Sequence, residues 1–298
     1  MSRRILSPIA LLCLACFAGL TQVHAENVKD LAKSTKYLAL GDSVAFGYTP
    51  LAQPPGNLKN YHGYPEIVSK GVHLNVANAS CFGETTGHFL SLLAPDTGCQ
   101  AWRAALPLFV EYSGTQMDYA IDYLKESNKA KLVTIDIGIN DLGVLLQTCG
   151  GDPTCFSRGL PATLAAYQAN LITIFSRIRN EAGYGGPIVA VTIYAVNYND
   201  PAEVGSITLL NAVLASVAHA FQGDVADAFS AFGLASIPYG GSACAAGLLI
   251  QLPTGGCDIH PSTMGQTLIA QTILDLLQRN RLGPQSWFCV TPAFSPKL

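Results

Sequence analysis

Short apolar runs alternate along this chain with segments whose apolar residues recur at helical spacing, and that alternation constrains the fold more than any other feature. Strand-like runs stand at Tyr37–Leu40, His73–Ala77, Lys131–Ile137 and Pro187–Ile193, with a weaker one at Asp224–Ala228. Between them, Thr115–Ser127 carries Met117, Ile121 and Leu124 at helical spacing. Leu164, Tyr167, Leu171, Ile172, Phe175 and Ile178 recur at three, four and seven, and Gly183 closes that helix. Ile207–Phe221 and Ser262–Arg281 read as further helices, and Gly63–Lys70 as a helical turn or two. The pattern predicts an α/β fold, a parallel sheet of about five strands with helices on both faces in three α/β/α layers. Right-handed crossovers bring all strand ends to one edge, where sites in such folds collect.

With 298 residues and no repeat, low-complexity run or Pro/Ser-rich linker, the chain reads as one domain. Apolar residues make up 49% and charged ones only 12%, which suffices for a sizeable core. A net charge of −3 without a basic patch argues against nucleic acid. No Lys/Arg-rich amphipathic stretch suggests attachment to a membrane surface. Arg3-Arg4, the apolar run Ile5–Leu20 and the small-residue pattern Val23-His24-Ala25 predict a signal peptide over 1–25, leaving 26–298 as the folded domain. The run is too short for a comfortable membrane span, so a secreted or periplasmic monomer without an integral membrane segment is expected after processing. Ser2-Arg3-Arg4 hints at twin-arginine export but is followed by residues that fit poorly, and the route stays open.

Two of the strands end in residues able to do chemistry. Tyr37-Leu38-Ala39-Leu40 runs into Gly41-Asp42-Ser43, where a serine hydroxyl stands at the sheet edge beside the free N–H groups of a helix start. On its own, Gly-Asp-Ser is more often an ordinary helix cap. Val133-Thr134-Ile135-Asp136-Ile137-Gly138-Ile139-Asn140-Asp141 is a second strand, ending in an amide. Asn78–Thr86, with Gly83, reads alone as a plain loop, and Asp258-Ile259-His260-Pro261-Ser262 stands near the end of the chain. Of the six histidines, His260 is the best base, because Pro261 restricts the backbone beside it and Ser262 can start a helix. His62, His73, His88 and His219 have no such setting.

In this order the four stretches resemble the blocks of the SGNH (GDSL-type) hydrolase family, in its secreted bacterial lipase/esterase branch. The resemblance runs from Tyr37 to the helix after His260 and implies an SGNH/flavodoxin-like fold without cofactor or metal. It implies Ser43 as nucleophile, His260 as base, and an oxyanion hole formed by the backbone N–H groups of Ser43 and Gly83 with the side-chain amide of Asn140. Gly83 lacks a Cβ that would block substrate, and Asn140 offers donors without a charge. The implied function is a secreted serine esterase or lipase that hydrolyses small-molecule or lipid esters through an acyl-serine. Two alternatives are a carbohydrate (acetyl-xylan-type) deacetylase and a non-catalytic binding protein on the same scaffold. The elbow Gly-x-Ser-x-Gly of α/β-hydrolases does not occur at Ser43, where Ala45 takes the second glycine's place.

The chain departs from the commoner family pattern at the residue that orients the histidine. An aspartate is expected three residues before His260, but Cys257 stands there and the carboxylate is Asp258. In an extended segment, residues i and i+2 share a face, so Asp258 can reach the imidazole. The other reading is a Ser–His dyad with a backbone carbonyl near Cys257 accepting the ring N–H. Asp42, Asp136 and Asp141 are expected to support loops. Cys13 and Cys16 fall in the leader. The remaining seven cysteines suggest disulfides in an oxidising compartment, and no Cys-x-x-Cys or His-Glu-x-x-His supplies a metal site. Sequence alone does not fix their pairing. The sequential one, Cys81–Cys99, Cys149–Cys155 and Cys244–Cys257, is economical, matches the local bridges of similar enzymes and leaves Cys289 free. Residues 87–114 read as irregular, and their Phe89, Leu92, Leu93, Trp102, Phe109 and Tyr112 fit either an acyl pocket or a satellite core.

Overall fold

A computed structural model describes residues 35–126 and 130–282. The expected signal peptide, Cys13, Cys16 and Cys289 lie outside the described residues. Strand β1 (Tyr37–Gly41) runs into a four-residue helix, α1 (Ser43–Phe46), and then α2 (Tyr64–Val72) and β2 (Val76–Asn78). Helices α3 (Cys99–Ala105) and α4 (Gln116–Glu126) precede β3 (Leu132–Asp136), and α5 (Ile139–Cys149) and α6 (Pro153–Ser176) precede β4 (Ile188–Val191). Helix α7 (Pro201–Ala220) leads to β5 (Asp224–Ala226), and α8 (Ala228–Ser236) to a hairpin of β6 (Leu249–Gln251) and β7 (Cys257–Pro261). Helix α9 (Thr263–Leu282) follows.

The five strands β1 to β5 form a parallel sheet in the order β2-β1-β3-β4-β5, as the alternation predicts. Side chains alternate between the two faces with the strand period. Leu38, Leu40, Val133, Ile135, Ile188 and Ala190 pack on one face with residues of α4, α6 and α7. Tyr37, Ala39, Leu132, Val189 and Val191 pack on the other with residues of α2, α8 and α9. Both faces are therefore covered, which is why these strands read as continuous apolar runs. Helix α7 is long and apolar enough to cross a membrane by composition, yet it packs Leu210, Leu214, Val217 and Ala218 into the core beside the sheet.

The chain turns to β2 on one side of β1 and to β3 on the other. The strand order thus reverses between β1 and β3, and their carboxyl ends open a crevice at the point where ligands of such sheets sit. Gly41 and Asp136 are paired neighbours at that edge, so Ser43 and Asn140 emerge side by side.

Several elements differ from the expectation. Helix α6 begins eleven residues before Leu164, because Asp152 caps it through the N–H of Thr154 and Pro153 opens it without needing a donor. Helix α5 stands where no helix was expected, although Ile139, Leu142 and Leu146 have helical spacing; only Leu142 of its residues is buried. The short α3 lies within the irregular stretch, and α8 and the β6–β7 hairpin replace what read as loop. Phe89, Trp102, Phe109 and Tyr112 belong to the core rather than to a pocket. Trp102 sits 5.4 Å from Phe46 and Phe109 5.0 Å from it, ring centre to ring centre. Leu93 is exposed.

Candidate active site

Ser43 occupies the first position of α1, with Asp42 as its cap: the Asp42 carboxylate accepts the N–H of Val44 at 2.9 Å. The serine hydroxyl is therefore free of capping duty. Its Oγ lies 3.0 Å from Nε2 of His260. Both residues are buried, at 5% and 8% exposure, so the pair works away from bulk water.

His260 comes from β7, a strand and not a loop, and this settles where Asp258 points. Residues 258 and 260 share a strand face. Oδ1 of Asp258 meets Nδ1 of His260 in a very short contact, and the same oxygen accepts the backbone N–H of His260 at 3.0 Å. Burial pushes the Asp258 carboxyl up, but hydrogen bonds from the His260 ring and backbone outweigh it and hold the group below its ordinary value. Tyr194 donates its hydroxyl to the carbonyl of Ile259 at 2.8 Å. The Cys244–Cys257 bridge pins the start of β7. Tyr48 meets the imidazole edge-on with ring centres 4.7 Å apart.

Asn140 stands in the first turn of α5, after Gly138. That glycine has φ +129°, and a Cβ there would lie 2.5 Å from the ring of Tyr167. The amide of Asn140 is held by three partners. Its Nδ2 donates to the carbonyl of Glu84 at 2.9 Å and to Oδ2 of Asp42 at 3.3 Å, and its Oδ1 accepts the hydroxyl of Thr97 at 2.7 Å. Thr97 also donates its N–H to the carbonyl of Gly83 at 2.9 Å. Gly83 has φ +74°, and a Cβ would lie 2.6 Å from the amide nitrogen of Gly98. The glycine is thus demanded by its own backbone and the 97–98 segment packed against it. Room for substrate, the reason expected for a glycine at this position, is not what the backbone here requires.

Burial raises the Asp42 carboxyl to about 6. Asp136 beside it is raised well above the carboxylate range, by burial first and by the charge of Asp42 second. Tyr64 donates to Asp136 at 2.8 Å. Asp141 accepts the N–H and hydroxyl of Thr86 at 3.0 and 2.5 Å. Asp141 therefore holds the Thr86 loop, as expected of it, while Asp42 caps α1 and Asp136 takes the hydroxyl of Tyr64 in α2. Thr97 was missed by sequence reasoning, since nothing marks one threonine in an irregular stretch.

The cysteines pair as Cys81–Cys99, Cys149–Cys155 and Cys244–Cys257. Among the described residues, the metal-sized cluster of His, Cys, Asp or Glu is Cys81, Glu84 and Cys99, whose two sulfurs are spent on each other.

A cleft of about 710 Å³ opens over Ser43, Asn140 and His260. Its walls are Leu142 and Leu146 of α5, Phe156 of α6, Ile193 after β4, Ile207 of α7, and Ile259. No aromatic of residues 87–114 lines it.

A family model matches residues 39–268, that of the GDSL-like lipase/acylhydrolase family. The chain belongs to that family. It is accordingly an ester-hydrolysing enzyme of the GDSL type. No curated protein matches it in sequence. Among solved structures, a phospholipase A1 from Streptomyces albidoflavus NA297 is 20% identical with a TM-score of 0.53, over 82% of this chain and 98% of that one. A lipase from a goat-rumen metagenome is 18% identical with a TM-score of 0.50, over 80% and 96%. An acetylxylan esterase from Geobacillus stearothermophilus is 18% identical with a TM-score of 0.49, over 81% and 93%. At these identities the first two likenesses speak for the fold, a parallel sheet between helices.

Proposed function

We propose that this GDSL hydrolase cleaves carboxylic esters whose acyl part is apolar, through an acyl-enzyme on Ser43. The observation that carries the reading is the line Ser43–His260–Asp258, whose serine and histidine line an apolar cleft. His260 Nε2 takes the proton of the Ser43 hydroxyl as Oγ bonds to the ester carbon, and the carbonyl electron pair moves to oxygen. The N–H groups of Ser43 and Gly83 receive that charge together with Asn140, whose Nδ2 gives up its long 3.3 Å contact with Asp42 to donate to the oxygen. On collapse the carbon–alkoxide bond breaks and Nε2–H protonates the departing alcohol. Water then attacks the acyl-serine by the same route, releasing the acid. Asp258 keeps the proton on Nδ1, so that Nε2 faces the serine as acceptor, and it stabilises the imidazolium.

The walls favour an acyl chain over a sugar. Deacetylation of polysaccharide calls for a short pocket with exposed aromatic platforms. Here the apolar lining is mainly aliphatic, its aromatics being Phe82, Phe156 and Tyr194, and Tyr239, which is more than half exposed, is not part of it. Each methylene that enters the cleft is worth up to about 0.8 kcal/mol, roughly fourfold in kcat/KM. Hydrolysis of p-nitrophenyl esters from acetate to palmitate should therefore rise from acetate through the middle chain lengths. Acetylated xylan supplied alongside should release little acetate. A maximum at acetate, with acetate freed from xylan, would replace this reading with the deacetylase.

Asn140→Ala should lower kcat by about 10²–10³ with a smaller effect on KM, because its amide serves charge that exists only in the transition state. A rise in KM alone would make Asn140 a ground-state binder. Three disulfide bridges support export to an oxidising compartment, as a secreted or periplasmic enzyme.

A further inference from the structure

Gln116, the first residue of α4, is fully buried and spends its side-chain amide on the backbone of Gly41 and the carboxylate of Glu84. Its Oε1 accepts the N–H of Gly41 at 2.6 Å, and its Nε2 donates to the carbonyl of the same glycine at 2.9 Å. Nε2 also donates to Oε2 of Glu84 at 3.3 Å. Gly41 precedes Ser43 by two residues, and Glu84 directly follows Gly83. One carboxamide therefore ties together the segments that carry the two backbone donors of the oxyanion hole.

The arrangement follows from where β2 stops. That strand ends at Asn78, opposite Ala39, so β1 continues for two residues without a strand partner on that side. The carbonyl of Gly41 still receives the N–H of Cys81 at 3.1 Å, but the carbonyl of Ala79 is turned to the hydroxyl of Tyr112 at 2.9 Å. Gln116 supplies the acceptor that the sheet no longer provides. A buried backbone N–H must find one.

Glu84 is fixed from its other side too. Its Oε1 lies 2.5 Å from Nδ1 of His88, whose Nε2 stands 3.4 Å from Oδ2 of Asp96. Asp96 in turn accepts the N–H groups of Gly98 and Gln100, both at 2.8 Å. With Cys81–Cys99 closing the loop, Gly83 is enclosed in a frame that Gln116 ties to Gly41 at the end of β1, while Asn140 ties it to Asp42 from the cleft side.

We propose that Gln116 is a positioning residue that keeps the N–H groups of Ser43 and Gly83 in register as one oxyanion hole. This rests on reading those two groups as oxyanion donors. A neutral amide suits the task, because it offers an acceptor and two donors that do not change with pH. Misplacement of a catalytic group by about 1 Å costs up to about 10²-fold in rate. Gln116→Met, which fills the space without hydrogen bonds, should lower kcat by about 10–10²-fold with KM within about threefold. Gln116→Glu keeps the acceptor for Gly41 but loses both donors and faces Glu84, so it should fall in the same direction.

The deciding measurement adds butylboronic acid, which becomes a tetrahedral anion on the serine, and butyrate, the planar product acid. In Gln116→Met the affinity for the boronate should drop by the same factor as kcat/KM, while that for butyrate holds. A purely structural residue would lower the melting temperature without that split. Wild-type kcat and boronate affinity in both folded variants would overturn the assignment of Gln116 alone. Failure of both variants to fold would overturn it as well, by making Gln116 a core residue. A wild-type enzyme that binds the boronate no better than butyrate would instead sink the oxyanion reading beneath it.

Discussion

Ser43→Ala should lower kcat by about 10⁶-fold, the cost of removing the nucleophile in a serine hydrolase whose groups act as a unit. Residual catalysis over water of about 10³–10⁴ should persist, because the oxyanion donors and the cleft remain. The fold should hardly notice. Asp42 caps α1, so the hydroxyl of Ser43 contributes its contact with His260 and little else. Losing one such bond costs about 1 kcal/mol, a shift of about 2–4 °C in a domain of this size. Turnover and thermal melting measured on the same preparation separate the two effects. A fluorophosphonate probe should label the wild-type enzyme at Ser43 and leave the variant untouched. Turnover near normal in Ser43→Ala would remove the nucleophile from this position, and with it the acyl-enzyme.

The fold was legible wherever burial on both faces left a mark on the sequence. The runs at Tyr37, Leu132 and Ile188 are apolar because helices cover both sides of the sheet, and α4 and α6 keep a helical period because one face meets the core. Helix α5 keeps that spacing too, in Ile139, Leu142 and Leu146, but the face it marks is turned to the cleft more than to the core. Leu142 and Leu146 form a wall that waits for substrate. Strand β7 of the hairpin was invisible for another reason: Cys257 and Asp258 are only partly buried and Ile259 is exposed, so no apolar run announces the strand.

The juxtaposition of Ser43 and Asn140 was legible in the sequence, and the frame around them was not. Ser43 and Asn140 could be placed together because both follow neighbouring strands at one edge of a parallel sheet. Thr97 and Gln116 could not. Each acts on a partner far away in the chain, at separations of 43 residues for Thr97–Asn140 and 75 for Gln116–Gly41. A polar residue in a loop or at a helix start carries no sign of which distant backbone it will meet. The aromatics of residues 87–114 show the same limit. Whether they formed a pocket or a satellite core depended on the position of Phe46, which α1 turns towards Trp102 and Phe109 and away from the cleft.

The orientation of His260 separates two mechanisms, and Asp258→Ala divides them. In a triad its loss should cost about 10⁴-fold in kcat, as the equivalent carboxylate does in a serine-protease precedent. In a dyad held by a backbone carbonyl the loss should stay within about tenfold, below the contribution of a proton-transfer group. Asp258→Asn refines the answer. One oxygen, Oδ1, accepts both the ring and the backbone N–H of His260. In the serine-protease precedent asparagine imposes the wrong tautomer. Here the backbone N–H of His260 favours an asparagine oxygen at the Oδ1 position, so the tautomer is preserved and Asp258→Asn should retain more activity than alanine. The stability effect has a definite sign as well. The folded Asp258 carboxyl lies below its ordinary value, so its contribution is present above the unfolded value of about 3.9 and is lost as pH falls through the folded one. Asp258→Ala should therefore melt lower than wild type at pH 7, and the gap should close in strong acid. Activity within tenfold of wild type in Asp258→Ala, with His260→Ala inactive, would pass the role from the carboxylate to the backbone.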